Sequence, residues 1–387
     1  MLKSNFRTGR DRDIMHRTRL PEAILLLGCT AVLFAAGVFP QQKAETELVV
    51  TRCWSYPLEL GKVLATDGER VYLGTTDAKV EALSPEGKRL WRSELGGEIA
   101  SNLLATDTGV LVATTAAGSD GKTASSTLRM LSKDTGITSL TVKLASATGH
   151  FLVSTQSAVV IVSLNGIVQS IDAKTGAVRW KREIAAGFVG EPFFNGDRLL
   201  VASTAKQFFH ISLSTGEIES MRKFDIGVTA ATETSTGDVI IGEERGSVTS
   251  LIKGSDKALW RYKTGAFISS IRFLKDHLLV TSHDNFVYFL TSHNGGVVWK
   301  KRFAGRVSQV GIFENVLALV SSIEEHGATF VSLVNGKPVG QIVLEEDEYL
   351  ASNPISSNGL ILALTNQRAI AYSLNACAAK KEGGAGK

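Results

Sequence analysis

The sequence predicts an all-β protein, an eight-bladed β-propeller built from four-stranded blades. Two observations lead to this fold. A glycine-to-tryptophan pattern recurs about every forty residues along most of the chain, and short β-rich runs separated by turn residues fill each interval. A fixed period of about forty residues indicates an array of equal units, and four short strands per unit are typical of propeller blades.

The repeat is marked by a glycine that a tryptophan follows four residues later. The complete pattern occurs at Gly87 with Trp91, Gly176 with Trp180, and Gly295 with Trp299, whereas Trp260 follows Asp256. The register continues without a tryptophan at Gly136, Gly216 and Gly336. Consecutive markers lie 39 to 49 residues apart, and each of the seven markers predicts one blade.

One copy of the repeat shows its four strands. Turn residues separate four short runs, residues 188–194, 198–203, 207–213 and 217–220. The second runs of several copies are continuously apolar, which predicts strands that are buried on both faces. No window between the turn signals keeps a 3.6-residue period, so a helical repeat is excluded.

The last repeat is incomplete at the C-terminal end. Residues 350–354, 360–364 and 369–374 provide three strands, and the chain ends before a fourth. Residues 48–54 provide such a strand near the N terminus, with Trp54 in the position that the other tryptophans occupy. We therefore expect the N-terminal strand to complete an eighth blade and to close the ring. A seven-bladed ring is the alternative.

Residues 170–180, with Asp172, Thr175, Gly176 and Trp180, resemble the tryptophan-docking motif of the quinoprotein-like propellers with PQQ-type repeats. In that family the Asp and the Thr-Gly pair form the turn between strands three and four, and the indole packs against the neighbouring blade. The resemblance extends over roughly residues 46–377. It implies indole N–H groups bonded to carbonyls and the following blade-docking residues: Trp54, Trp91, Trp180, Trp260, Trp299, Gly87, Gly176 and Gly295.

The N-terminal part of the chain has the composition of a membrane or signal segment. Residues 1–22 are basic, residues 23–39 are uncharged and mostly apolar, and residues 40–47 form a polar linker before the propeller of residues 48–377. Positive charge keeps the N-terminal side in the cytoplasm, so we expect an extracytoplasmic, periplasmic propeller. The net charge of +4 equals the excess in the first twenty residues. The rest is neutral, which argues against nucleic-acid binding.

The fate of this segment is open between three outcomes. In the first, the segment stays as an uncleaved membrane anchor, for which its seventeen residues are just long enough. In the second, it is a signal peptide that is cleaved after Gly37. Residues 26–29 also resemble a lipobox, which would make Cys29 a lipidation site. Met15 is an alternative start, and we expect residues 378–387 to form a flexible tail.

Two cysteines remain in the exported part, Cys53 and Cys377, on the two chain ends that share the last blade. A disulfide between them and two free thiols are both compatible with this placement. The seven histidines are scattered without metal-ligand spacing, and the chain has no Cys-x-x-Cys pair, phosphate loop or Gly-x-Ser-x-Gly elbow. The quinoprotein dehydrogenases carry adjacent cysteines at their cofactor, which this chain lacks. We therefore predict no enzyme activity, no metal site and no cofactor.

The loops of one rim remain as the candidate binding surface. In a four-stranded blade, the turn between strands 2 and 3 and the loop between blades lie on the same rim. That rim carries residues 243–245, 283–285 and the insertion 118–126, together with the acidic run Glu345, Glu346, Asp347 and Glu348. Binding residues are common on loops that a rigid scaffold positions.

Within the same family, an exported single-propeller chain of this length resembles the BamB family, the scaffold subunits of outer-membrane β-barrel assembly. That family has a Leu-Arg-Gly-x-x-x-Pro stretch entering its fourth blade and an Arg-x-x-Asp-Val-Asp stretch at the end of it. Gly190 and Glu191 occupy the first position without the Arg, and Arg222 and Asp225 occupy the second without the last acid.

The resemblance implies a non-catalytic envelope scaffold that binds other envelope proteins through these residues. The alternatives are a sensor or interaction ectodomain of another envelope system, and a propeller that binds PQQ or another small molecule.

Overall fold

A computed structural model describes residues 50–118, 124–155, 158–255, 257–314, 317–322 and 327–374, together with Cys377. Several predictions concern residues outside this set, namely the segments 1–22, 23–39 and 40–47, Cys29, Asp256 and the tail 378–387. Within the described residues, no helix has the length and apolar character to cross a membrane.

The regular secondary structure of the described residues is β-strand, and turns and loops join the strands. The first four blades and the strand that precedes them comprise β1 (Thr51–Pro57), β2 (Gly61–Thr66), β3 (Val71–Thr75), β4 (Lys79–Leu83), β5 (Arg89–Glu94), β6 (Glu98–Ile99), β7 (Leu104–Ala105), β8 (Val110–Ala117), β9 (Ala124–Leu131), β10 (Thr138–Lys143), β11 (His150–Ser154), β12 (Ala158–Ser163), β13 (Ile167–Asp172), β14 (Val178–Glu183), β15 (Phe188–Asn195), β16 (Arg198–Ser203), β17 (Gln207–Ser212) and β18 (Ile218–Lys223).

The remaining blades continue the same pattern. They comprise β19 (Val228–Glu233), β20 (Val239–Glu243), β21 (Ser247–Leu251), β22 (Ala258–Lys263), β23 (Ile268–Leu274), β24 (His277–Ser282), β25 (Phe286–Thr291), β26 (Val297–Arg302), β27 (Val307–Phe313), β28 (Leu317–Ser322), β29 (Gly327–Ser332), β30 (Pro338–Val343), β31 (Ile355–Ser357), β32 (Leu360–Leu364) and β33 (Arg368–Ser373).

These strands form eight antiparallel sheets, and each sheet is one blade. Blades 1 to 7 are consecutive in the chain: β2–β5, β6–β10, β11–β14, β15–β18, β19–β22, β23–β26 and β27–β30. Blade 8 contains β31, β32 and β33, and β1 from the N-terminal side is its fourth strand. The predicted eight-bladed propeller closed by the N-terminal strand is thus confirmed, and the seven-bladed alternative is wrong.

The clasp strand β1 pairs antiparallel with β33, from Thr51 opposite Ser373 to Pro57 opposite Arg368. The predicted strand, residues 48–54, therefore ended too early, since the pairing extends to Pro57. Residues 48 and 49 lie outside the described residues. Side-chain spacing alone does not show where pairing with a distant strand ends, which explains the difference.

Two blades depart from the predicted strand pattern. In blade 2 the first strand is divided into β6 and β7, and part of the predicted loop insertion is a hairpin extension in which Ala117 pairs with Ala124. In blade 8 the predicted strand 350–354 is wrong, because Leu350 forms only an isolated bridge with Thr365 and β31 follows Pro354. Proline lacks the N–H donor that a strand ladder needs.

The core lies between neighbouring blades. Second strands such as β12 and β20 are buried at every position, as their apolar runs predicted. One cluster joins Val160 and Val168 of blade 3 to Phe188 and Leu199 of blade 4. The first strands β15, β19 and β23 contact one another and lie innermost, whereas fourth strands such as β14 expose many of their side chains at the perimeter. Each blade is therefore stabilised mainly by its neighbours.

Candidate functional site

Each tryptophan of the repeat packs over the marker glycine of the following blade. A Cβ atom on Gly136 would lie 2.5 Å from Cε3 of Trp91, and one on Gly336 would lie 2.7 Å from Cδ2 of Trp299. Both glycines also have positive φ angles, 70° and 73°. Space and backbone conformation therefore both require glycine at these positions. The same relation holds for Trp54 and Gly87, Trp180 and Gly216, and Trp260 and Gly295.

This relation assigns the marker glycine a role that the sequence pattern did not show. Glycine and tryptophan recur together because each glycine makes room for the tryptophan of the preceding blade, whereas the pattern suggested a turn within one blade. At Gly176 the preceding blade has no tryptophan, and a Cβ there would instead meet Val142 and Leu140.

Four of the five indole N–H groups donate to a backbone carbonyl of the next blade. The pairs are Trp54 with Pro85 (2.8 Å), Trp91 with Lys133 (2.6 Å), Trp260 with Ser292 (2.8 Å) and Trp299 with Leu333 (2.9 Å). Trp180 is the exception, because its Nε1 is buried and has no hydrogen-bond partner among the described residues. Here Arg182 connects the two blades through Nε, which donates to the carbonyl of Gly216 at 2.8 Å.

The motif turn before Trp180 is stabilised by Asp172. Its carboxylate accepts hydrogen bonds from the backbone N–H groups of Lys174 (3.0 Å) and Thr175 (2.9 Å), and from the hydroxyl of Thr175. Arg179 pairs with the other carboxylate oxygen at 2.7 Å. The hydrogen bond from Arg179, followed by those from the turn, holds the pKa of Asp172 well below its usual range. This aspartate is therefore a turn-forming residue.

Arg222, which the sequence placed among the partner-binding residues, bridges two blades. Its Nη2 donates to the carbonyl of Ser255 at 2.6 Å, much as Arg182 does at the previous seam. Ser220 stands in the tryptophan position of this blade, so Arg222 joins blades 4 and 5 at a seam that has no docked tryptophan. Asp225 is exposed in the loop between β18 and β19, and its carbonyl accepts a hydrogen bond from Lys206 at 2.9 Å.

The acidic run between β30 and β31 is divided by the structure. Glu345, Glu346 and Asp347 are exposed, but Glu348 is buried, so the prediction of four exposed acids is wrong for Glu348. Its carboxylate accepts hydrogen bonds from Arg368 and Thr365. A run of four acids in a loop is typical of a solvent-exposed segment. The burial of Glu348 was missed because the arginine that pairs with it lies twenty residues further along the chain.

Glu243, also assigned to the rim, is buried as well. It accepts a hydrogen bond from Arg261 at 2.8 Å and another from the hydroxyl of Thr249. The turn at 283–285 lies between β24 and β25, as predicted.

The turns between strands 2 and 3 and the loops between blades share one rim. Backbone hydrogen bonds connect them, for example from Thr76 to Leu60 and from Phe224 to Lys206. Asp225 and the acids Glu345 to Asp347 lie on this rim, at the junction of blades 4 and 5 and at the junction of blades 7 and 8. The structure therefore does not bring the two predicted contact regions together into one patch.

Gly190 and Glu191 lie in β15, the innermost strand of blade 4, which corresponds to the predicted strand run 188–194. The register between Val189 and Phe193 is irregular, so these residues form a bulge beside the central channel. Gly190 has φ 75°, and a Cβ there would lie 2.3 Å from the carbonyl oxygen of Thr229. Glu191 forms an ion pair with Arg272 of β23 at 2.9 Å. This pair, 81 residues apart, was not predicted.

Cys53 and Cys377 are joined by a disulfide, with Cα atoms 5.4 Å apart. The bond lies where a turn between the third and fourth strands would stand in the other blades, because β33 and β1 come from opposite ends of the chain. It therefore closes covalently the hairpin that the chain termini leave open. Both arrangements of these cysteines had remained open from the sequence.

Within the described part of the chain, no cluster of three or more His, Cys, Asp or Glu side chains is placed to hold a metal ion. His150 is buried, and burial lowers its pKa to about 4, so it is neutral at physiological pH. Its Nδ1 lies 2.9 Å from the hydroxyl of Ser163. This histidine is part of the strand packing between β11 and β12.

Comparison with known proteins agrees with this architecture. The PQQ_2 family model, described as outer membrane protein assembly factor BamB, matches residues 50–139 and 124–219, the region of blades 1 to 4. No curated protein sequence matches the chain significantly.

Three solved structures illustrate the fold match. BamB from Moraxella catarrhalis has a TM-score of 0.64 at 15% identity, covering 84% of this chain and 98% of that one. The computationally designed Ika8 protein has a TM-score of 0.67 at 12% identity, with 84% and 99% covered. The C-terminal WD40 domain of Sif2 has a TM-score of 0.65 at 10% identity, with 85% and 99% covered.

Three proteins of 10–15% identity thus match this fold about equally well, and 1642 solved chains match it significantly, so the fold alone does not select a function. The repeat motif, the eight blades and the family model agree, and residues 50–219 match the family of PQQ-repeat β-propellers of the BamB type.

Proposed function

We propose that this protein is a non-catalytic protein-binding scaffold of the cell envelope that acts, as the BamB family description states, in outer membrane protein assembly. The observation that carries the proposal is the match of that family model over the first four blades. The partners are then other envelope proteins, with the membrane reached through residues 23–39. The Cys53–Cys377 disulfide supports an oxidising, extracytoplasmic compartment.

The exposed acids of the loop rim are the binding surface in this proposal. Glu345, Glu346 and Asp347 extend from a loop that the buried Glu348 anchors, and Tyr349 beside them is 62% exposed. An exposed tyrosine on a fixed loop is a favourable anchor for a partner, because little conformational entropy is lost on binding. Asp225 adds a charge at the junction of blades 4 and 5. Exposed charges of this kind govern encounter and specificity more than stability.

The test is capture of the outer-membrane assembly subunit from solubilised envelopes by the tagged full chain. We expect recovery with the wild type, and weaker recovery when Glu345, Glu346 and Asp347 are replaced by lysine or when Asp225→Lys is introduced. The matched control replaces Glu69, Asp107 and Glu217 by lysine, since these exposed acids lie on the opposite rim. Equal recovery by the rim and control variants would contradict the rim as the contact. Failure of the wild type to recover the subunit would contradict the assembly role.

Topology is tested separately. Alkaline phosphatase fused after residue 387 is active only outside the cytoplasm, so we expect an active fusion. An inactive phosphatase together with an active cytoplasmic reporter at the same position would contradict an extracytoplasmic propeller.

A further inference from the structure

A cavity of about 190 Å³ lies beside the central channel, between the innermost strands of blades 4, 5 and 6. Space of about 10–15 Å³ is enough for one water, so this cavity has room for a small organic molecule. The space exists because β19 carries the small side chains of Ala230 and Ala231 between the larger residues of β15 and β23.

An ion pair crosses the channel side of this cavity. Glu191 of blade 4 and Arg272 of blade 6 lie 2.9 Å apart, and both line the cavity together with the strand of blade 5 that stands between them. Their side chains are 56% and 40% exposed. A partly exposed pair contributes little to folding stability, so each charge can exchange its partner for a charged group of a ligand.

The polar and apolar linings of the cavity are distinct. Thr232 is completely buried, and its hydroxyl has no hydrogen-bond partner among the described residues. Because Thr232 has no exposed surface, its hydroxyl lies behind the cavity wall and supplies no ligand contact. The apolar side of the cavity is supplied by Phe193, Ile271 and Leu274.

We propose that this cavity binds a small zwitterion with an apolar side chain, namely an α-amino acid of about the size of leucine. The ammonium group pairs with Glu191, the carboxylate pairs with Arg272, and the side chain packs on the apolar lining. The ammonium and carboxylate groups of an α-amino acid are attached to the same carbon, so the ligand presents two opposite charges close together, as Glu191 and Arg272 do at 2.9 Å. A ligand with one charge would leave one member of the pair without its partner. The site is separate from the rim loops and does not depend on the scaffold role.

The test is isothermal titration of the purified full chain with L-leucine at neutral pH. We expect saturable binding of one molecule per chain. Glycine, 4-methylpentanoate and 3-methylbutylamine each lack one of the three recognised parts, so each should bind at least about tenfold more weakly. Equal affinity for leucine and glycine would contradict the apolar contact. Equal affinity for leucine and either singly charged analogue would contradict the zwitterion.

Three variants locate the binding. Ala231→Leu fills the cavity and should abolish leucine binding, whereas Glu191→Gln and Arg272→Gln should each weaken it by about tenfold. The control Lys181→Gln removes an exposed perimeter ion pair with Glu183 and should leave binding unchanged. Should Ala231→Leu fail to fold, the two partly exposed charge variants still decide the question. Wild-type affinity in both of them would overturn the proposal.

Discussion

The buried Glu348 and the partly buried Arg368 form a doubly hydrogen-bonded ion pair under the acidic loop of blade 8. Nε of Arg368 donates to Oε1 at 2.8 Å and Nη2 donates to Oε2 at 2.5 Å, while the Thr365 hydroxyl adds a third bond at 2.6 Å. The Glu348 side chain is 1% exposed, whereas that of Glu345 is 73% exposed. One acid of the run thus anchors the loop, and the other three face solvent.

Replacing Arg368 should therefore destabilise the propeller strongly. Arg368→Met leaves the carboxylate of Glu348 buried without its charged partner, which costs about 3–5 kcal/mol of unfolding free energy. Chemical denaturation of the purified protein measures this change. The control Glu346→Gln removes an exposed acid of the same loop and should change stability by less than about 0.5 kcal/mol. Equal midpoints for the two variants would contradict the anchoring role.

The same pair predicts a dependence of stability on pH. Burial raises the pKa of Glu348, but the hydrogen bonds from Arg368 and Thr365 outweigh it, so that its pKa lies below the ordinary value of 4.5. A carboxyl whose pKa is lowered by folding contributes stability above its unfolded pKa and loses it as pH falls through the folded pKa. We expect the unfolding free energy to fall below about pH 4.5, and to fall less in Glu348→Gln. Chemical denaturation of both proteins at a series of acidic pH values measures this. If the two unfolding free energies fell in parallel with pH, the Glu348 carboxyl would contribute nothing to the pH dependence.

Substitutions at two glycines distinguish the cost of backbone strain from the cost of overpacking. Gly216 and Gly68 both have positive φ angles, 72° and 89°. A Cβ on Gly216 would lie 2.4 Å from Cε3 of Trp180, whereas a Cβ on Gly68 would have nothing within 4 Å. Gly68→Ala should cost about 1–2 kcal/mol from strain alone, and Gly216→Ala about 1–3 kcal/mol more from overpacking. Thermal or chemical denaturation measures both losses of stability. Equal losses for the two variants would contradict the conclusion that Gly216 is required to make room for Trp180.

The tryptophans themselves should be costly to remove. Trp180→Ala empties a large aromatic site between blades 3 and 4 and should lower the unfolding free energy by about 3–5 kcal/mol. Trp54→Ala should cost less, because the terminal strand β1 can fray from its sheet. Chemical denaturation measures both. An unchanged midpoint for Trp180→Ala would contradict the packing between blades.

The hydrogen bonds of the indoles allow a finer comparison. Trp299→Phe loses the bond to the carbonyl of Leu333, whereas Trp180→Phe loses no hydrogen bond to any described residue. Trp299→Phe should therefore cost about 1 kcal/mol more than Trp180→Phe. Chemical denaturation of both variants side by side decides this, and a larger loss for Trp180→Phe would contradict the assignment.

The ring of blades could be predicted from the sequence because the turn residues that mark each blade are local in the chain. Each marker glycine has a positive φ, and each fourth strand follows it at a fixed distance, so blade number and closure could be derived from spacing. The pairing of β1 with β33 followed from counting strands. The absence of a hydrogen-bond partner for the Trp180 indole among the described residues could not be predicted. A complete copy of the motif does not guarantee that a carbonyl of the neighbouring blade lies within hydrogen-bond distance.

The candidate sites were less predictable because their contacts are distant in the chain. Glu348 belonged to an acidic rim loop in the prediction, and only the structure places Arg368 and Thr365 beside it. Glu191 belonged to the predicted strand run 188–194, and its partner Arg272 lies 81 residues further along the chain. Burial of a charge depends on the partner that compensates it. The local sequence around Glu348 and Glu191 does not indicate these partners, which lie 20 and 81 residues away.

The disulfide should act mainly on the clasp. It joins residues 324 positions apart and thereby restricts the unfolded chain, so Cys53→Ser should lower the unfolding free energy by about 2–5 kcal/mol. A reducing agent should lower the melting temperature of the wild type and leave that of Cys53→Ser unchanged. The double variant with Cys377→Ser should match the single variant, because both remove the same bond. A wild type that melts at the same temperature with and without reductant would contradict a stabilising disulfide.

Removing the clasp strand altogether should have a larger effect than removing the disulfide. Without residues 1–55, β33 loses most of its partner strand and blade 8 presents an unpaired edge. An open apolar edge recruits other strands, so the truncated chain 56–387 should aggregate or unfold at a lower temperature than the chain 40–387. Cys53→Ser in the longer chain is the matched control, because it lacks the covalent bond but keeps the strand. Size-exclusion chromatography and thermal unfolding test this, and a monomeric 56–387 chain as stable as that control would show that β1 is dispensable.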